Sequence, residues 1–200
     1  MKPSNMLAPV TAVLLAAPAA AHAHLVNSGL GPFYDGALHL LLSPGDLLGL
    51  VAAALLAGLR GARAGRLTVI ALTMSWLLTG MIGMRLPVNL DLTWLSVLSF
   101  LILGVLVAAD ARLSPVAVAS LGALYGALHG LLNGSALAAM GAAPTALFGI
   151  VLTVMVIALL TAAVVVSVHA LWARIAVRVA GSWVVAVGML MLGWLAQGAA

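Results

Sequence analysis

The stretch Phe33-Tyr34-Asp35-Gly36-Ala37-Leu38-His39-Leu40-Leu41-Leu42-Ser43-Pro44-Gly45-Asp46 sets two carboxylates and an imidazole at the mouth of a long apolar segment. Ser43-Pro44-Gly45-Asp46 has the order of a helix start, with Ser43 as N-cap, Pro44 at the first helical position and Asp46 at the third. The helix it opens runs to about Leu59, and residues 36–42 form a short helix or re-entrant piece before it. The first membrane span is therefore expected to be broken near Ser43-Pro44. Ionisable groups are costly within a bilayer, so Asp35, His39 and Asp46 are functional candidates by position alone. Asp35 and His39 are four residues apart and share a face if this piece is helical. Each has a plainer role open to it. Asp46 is a first-turn carboxylate facing a helix dipole, Asp35 suits a solvated turn, and His39 suits a metal ligand, a proton carrier or a bond to a carbonyl.

The surrounding chain explains why that stretch stands out. Of 200 residues, 65% are hydrophobic and 6% charged, with a mean hydropathy of +1.28. A soluble domain carries about 25% charged residues. An all-α membrane protein follows, because long apolar runs need a backbone satisfied within each segment. The eight Lys and Arg against four Asp do not cluster with aromatic residues, so no nucleic-acid surface is expected. There is no Cys, which excludes disulfides, thiolate metal sites and cysteine catalysis. A metal site must then use imidazole, carboxylate, amide or hydroxyl groups, a set suited to Ni, Co, Cu or Zn.

Residues 1–23 have the form of a secretory signal: Lys2 at the start, an apolar core from Leu7 to Ala17, Pro18 as breaker, and Ala21-His22-Ala23 as a cleavage site. Cleavage there makes His24 the first residue, whose amine, imidazole and backbone nitrogen form a compact chelate; cleavage after Ala21 would expose His22 instead. The expected organisation is a signal over 1–23 and a six-helix transmembrane domain over 24–200. After the broken first span, further spans are expected near 67–84, 92–109, 115–134, 145–171 and 175–196. Six Arg (60, 63, 66, 112, 174 and 178) fall in or beside the odd-numbered loops and Arg85 alone in an even one. The positive-inside rule puts the odd loops in the cytoplasm and both mature termini in the periplasm of a bacterial inner membrane. Three spans plus three would form an inverted repeat, with spans one and four in corresponding places.

Span four carries Gly122, Gly126, Gly130 and Gly134 at four-residue spacing. Such a stripe lets another helix approach closely, within the chain or in a homo-oligomer. Beside it Tyr125, His129 and Asn133 form a polar ridge, which serves as an interhelical hydrogen-bond ladder or as part of a site. With the topology above, His24, Asp35, His39, Asp46 and His129 all fall in the outer half of the membrane. His169, at the inner end of span five near Trp172 and Arg174, has the setting of an interface residue. Ser75, Thr79, Ser96, Ser99, Thr153 and Thr161 suit helix contacts.

These residues resemble the HupE/UreJ family of membrane proteins, linked to hydrogenase and urease and regarded as nickel or cobalt permeases. The resemblance covers most of the chain. The family's first motif is His-Pro, five residues, then Asp-His; His39 and Asp46 stand at the matching positions, with Leu40 for the Pro and Leu47 for the second His. The span-four motif is Phe-His-Gly-x-Ala-His-Gly-x-Glu. Leu124-Tyr125-Gly126-Ala127-Leu128-His129-Gly130-Leu131-Leu132 keeps both Gly and the second His, with Tyr125 for the first His and Leu132 for the Glu. The resemblance implies a permease for Ni²⁺ or Co²⁺, with His39, Asp46 and His129 at matching motif positions; with His24 they would capture the ion from the outer side, and His24 or His22, Asp35 and Asn133 are the candidates to complete the site. No phosphate-binding Gly-x-x-x-x-Gly-Lys-Ser/Thr is present, so the drive would come from the membrane potential, a gradient, trapping of the metal or an unseen partner subunit. The alternative is a membrane accessory or metal-sensing protein that transports nothing. An enzyme is not expected: there is no nucleophile–base pair, no His-Glu-x-x-His and no paired catalytic carboxylates.

Overall fold

Seven α-helices make up the computed structural model, which describes residues 28–86 and 92–198, and no strand occurs among them. They are α1 (Pro32–Leu42), α2 (Pro44–Leu59), α3 (Ala62–Gly83), α4 (Thr93–Ala108), α5 (Pro115–Ala139), α6 (Pro144–Ser167) and α7 (Leu171–Gly198). The expected signal over 1–23, with His22 and His24, lies outside the described residues. Proline sets four of the starts, at positions 32, 44, 115 and 144, where its missing N–H removes no intrahelical bond. Ser114 caps α5 by accepting from the Ala117 N–H at 3.2 Å.

The middle of the bundle is α2, which touches all six other helices. Its sequence explains this. Leu50, Ala52, Ala53, Ala54, Leu56 and Ala57 are buried almost completely. Alanine is the best helix former and leaves little bulk between axes, so several helices can reach one central rod.

The break before α2 is present where the sequence places it. The two limbs α1 and α2 meet at an angle of 76°. Ser43 is extended at φ −98° and ψ 92°, but its hydroxyl does not cap α2; it donates to the His39 carbonyl at 2.7 Å. Ser43 is also the C-cap of α1, and its hydroxyl hydrogen satisfies an orphan carbonyl of that helix. Two glycine notches then hold α1 on α6. A methyl group at Gly36 would run into the Ala146 carbonyl, and one at Gly149 into the Phe33 carbonyl.

By length and composition, α3, α5, α6 and α7 can cross a membrane, and the bent pair α1–α2 makes a fifth candidate. That makes four or five candidate spans against the six expected: α4, placed where the third span was expected, has 16 residues, about 24 Å against a hydrocarbon core of about 30 Å. Span five ends at Ser167, not at 171, and the last helix starts at Leu171. The exposed His169 lies in the connection between them. The glycine stripe of α5 is spent inside the chain, on α3: Gly126 faces the Leu72 carbonyl, Gly130 the Trp76 carbonyl and Gly134 that of Gly80.

Candidate polar site between the broken span and the fifth helix

Asp46 stands in the first turn of α2, where the bend turns it toward α5. There Tyr125, His129 and Asn133 line one ridge at four-residue spacing, as expected from the sequence. The Asp46 carboxylate meets His129 Nδ1 through Oδ1 at 2.5 Å and accepts from Asn133 Nδ2 through Oδ2 at 2.9 Å. The Tyr125 hydroxyl donates to the Asp46 backbone carbonyl at 2.7 Å. One residue of the broken span is therefore held by three residues of the ridge.

The imidazole is enclosed. His129 has no exposed surface, whereas the Asp46 side chain is 16% exposed. Tyr125 stacks on the ring at 4.1 Å between centroids, and Trp76 of α3 lies on it at 5.8 Å. His129 Nε2 meets Ser99 Oγ of α4 at 3.0 Å. Ser99 has one proton and two acceptors in reach, because the Ser96 carbonyl lies 2.7 Å from the same oxygen. If that proton goes to His129, the ring is the neutral tautomer with N–H on Nδ1. If it goes to Ser96, Nε2 carries a hydrogen and donates it to the Ser99 oxygen.

Two atoms here are left over. Asn133 Oδ1 and Trp76 Nε1 are buried without a hydrogen-bond partner. Asn133 spends its amide hydrogens on Asp46 and on the His129 carbonyl, at 2.9 Å each, so its oxygen is an acceptor with nothing to accept. A buried acceptor in that state costs free energy, which a cation beside Asp46 would offset.

Of the expected ligands, Asp46 and His129 come into contact. His39 is buried in the last turn of α1. Asp35 is engaged elsewhere: it accepts from the Ser28 N–H at 2.7 Å and from the Ser28 hydroxyl at 2.6 Å, which ties the lead-in to α1. His24 is outside the described residues. Among the described residues no group of three or more His, Cys, Asp or Glu is placed to hold a metal ion. Ser99 and Trp76 joined the site without having been expected there. Ser99 had the look of a helix-contact serine, and nothing in the local pattern marks Trp76.

The family model described as HupE / UreJ protein matches residues 10–191. The chain belongs to the HupE/UreJ family. Comparison with curated proteins and with solved structures found no match. The HupE/UreJ family is associated with nickel or cobalt transport or with urease and hydrogenase maturation, and it is transporter-like in character. Its two polar motifs are the two sides of the contact described above: Asp46 comes from the first and His129 from the second. The family's first span-four histidine position is occupied by Tyr125, which here supports Asp46 through the backbone.

Proposed function

We propose that the protein is an inner-membrane permease for a divalent transition metal, Ni²⁺ or Co²⁺, with the ion captured from the periplasmic side. The observation that carries this is the meeting of Asp46, from the broken first span, with His129 and Asn133 of α5. Asp46 and His129 are the first pair of ligands in this reading, His39 is the approach ligand, and Asn133 Oδ1 supplies a neutral oxygen. Asp35 and His24 would gather the ion at the outer mouth. Nitrogen and oxygen donors suit these borderline ions. A carboxylate on one ring nitrogen would orient His129 and raise the basicity of the other. For Nε2 to bind metal it must part from Ser99, a neutral hydroxyl.

Depth supports capture from the side away from the arginines. Asp46 lies 14 residues before Arg60 along α2, and His129 lies 14 residues after Pro115 along α5. At about 1.5 Å per residue both are about 21 Å from the arginine-rich end, in the far half of a core about 30 Å thick. One pairing of helices supports a 3+3 inverted repeat. Exchange of the halves turns the contact of α1 and α2 with α6 into that of α5 with α3, and both are extensive, although the contact of α2 with α4 has no counterpart of its size between α5 and α7. Binding sites at discontinuous helices between such halves are a transporter pattern.

The test is metal accumulation in cells making the wild type, His39→Ala, Asp46→Asn or His129→Ala, with Ni²⁺ and Co²⁺ measured in the cytosol. Accumulation falls to the level of empty cells for Asp46→Asn and His129→Ala. Equal accumulation in all four would remove these residues from the path. A second reading, an accessory or metal-sensing protein, is favoured by one observation: Tyr125, Leu47 and Leu132 stand where the family has ligands, and no three-ligand group forms among the described residues. Metal binding without flux in vesicles would support it over the permease.

A further inference from the structure

The arginine-rich end carries a feature that the metal site does not use. Between α3 and α6 runs a groove of about 280 Å³, open on its outer side. Its walls are Val69 and Leu159, its floor is Gly65 and Ala162, and Arg66 and Ser167 stand at its mouth. From Ser167 to Leu159 it follows α6 for about 12 Å. A Cβ built on Gly65 would lie 3.7 Å from the Ala162 Cβ, so the floor is deep only because both residues are small.

The mouth is positively charged and lacks a balancing group. The first turn of α3 holds no acidic residue and has no side-chain cap, yet it opens with Arg63, and Arg66 follows one turn later. Cations near a helix N-terminus oppose its dipole. Among the described residues every ion pair at this end converges on Asp110, taken by Arg60 and Arg174; none uses Arg63 or Arg66. A second hollow of about 250 Å³, lined by His169 and Arg174, adjoins the groove at Val166.

A hydrocarbon groove that ends on unpaired arginine has the chemistry of an anionic amphiphile. We propose that an anionic phospholipid of the leaflet at this end binds between α3 and α6, its phosphate on Arg66 at the Ser167 end of the groove and one acyl chain over Gly65 and Ala162. Charge complementarity selects this occupant. A zwitterionic lipid brings its own cation to the arginines, and a second protein chain would have to supply carboxylates at the mouth and apolar bulk below. Juxtamembrane basic groups contribute about 1 kcal/mol each toward anionic lipid, close to a five-fold change in retention.

Native mass spectrometry of the purified full chain, released from detergent with phosphatidylglycerol or phosphatidylcholine added, tests this. The wild type should retain one phosphatidylglycerol and about five-fold less phosphatidylcholine. Arg66→Gln should lose about five-fold. Gly65→Leu should lose retention by filling the groove with the mouth intact. Arg112→Gln, the same charge change at the same end but away from the groove, should retain lipid as the wild type does. Equal retention of the two lipids, or equal loss in Arg112→Gln and Arg66→Gln, would overturn the proposal in favour of a diffuse field. Unchanged retention in Gly65→Leu, full displacement by inorganic phosphate, or a lipid-free dimer would overturn it as well.

Discussion

His129 has a partner on each side and no contact with water, so every group around it bears on its energy. Ser99 is the informative neighbour, because it reaches Nε2 from α4 and its other hydrogen bond goes to the Ser96 carbonyl of its own helix. Ser99→Ala leaves that nitrogen buried without a partner, and stability should fall by about 1–3 kcal/mol. Ser96→Ala removes a hydroxyl nearer the start of the same helix and leaves its carbonyl in place; it should cost well under half as much. Thermal or denaturant unfolding in detergent separates the two. If metal binds at Nε2, Ser99→Ala should also bind it at least as tightly as the wild type, since the ion no longer displaces a hydroxyl. Weaker binding together with weaker folding would instead assign Ser99 to the ligand set.

Helix α1 is fixed by fit and not by bulk. Gly36 and Gly149 let its backbone lie directly on that of α6, and its apolar face is partly exposed. Gly149→Ala should lift α1 away at a cost of about 1–3 kcal/mol, because the obstacle is a carbonyl oxygen with nowhere to move. The chain has no Cys, so a single thiol reports this cleanly. Thiol labelling at Ala37→Cys should speed up severalfold in the Gly149→Ala background, while Ala53→Cys in the core of α2 stays protected. Gly193→Ala, which meets nothing, is the control. Equal labelling at Ala37→Cys in both backgrounds would mean that α1 is held elsewhere.

The same elements show what could be read beforehand. Proline has a local and one-sided effect on helices, so the starts at 44, 115 and 144 were legible to within a residue, and with them the broken span. The ridge of Tyr125, His129 and Asn133 was legible because helical periodicity is local too. Its target was half legible: the topology and the resemblance both set Asp46 in the same outer half as His129, and neither encodes which of the outer carboxylates His129 meets. Ser99 and Trp76 were not legible as site residues, since their roles depend on how α3 and α4 lean on α5 and no periodicity encodes that. Ser43 is the N-cap as read, but the direction its hydroxyl takes was not legible, for a similar reason. The pattern counted one helix needing a partner there, while the fold brings the end of another to the same hydroxyl.

At the scale of the molecule, the connections α2–α3, α4–α5 and α6–α7 come together at one end through a single carboxylate. Asp110 pairs with Arg60 and takes Arg174 in a two-pronged contact, Nε to Oδ2 at 3.1 Å and a terminal nitrogen to Oδ2 at 3.0 Å. The three odd-numbered loops that share the arginine bias are thus physically linked. Asp110 has a positive φ of 51°, a region that Asp and Asn tolerate better than other side chains. Asp110→Asn therefore removes the charge without straining the turn. The Arg60 side chain is only 10% exposed and its Nε already lacks a partner, so loss of the carboxylate leaves a nearly buried guanidinium uncompensated. Unfolding in detergent should show a loss of about 1.5–3 kcal/mol, as for hydrogen bonds to a charged group. Arg174→Gln removes only the exposed partner and should cost less than about 1 kcal/mol, falling further as salt is raised. Metal binding should be unchanged in both, because the polar site is about 21 Å away along α2. Equal losses in the two variants would assign the clamp to Arg174 alone. A loss of metal binding in Asp110→Asn would mean that this end and the polar site move as one unit, with α2 as the connecting rod.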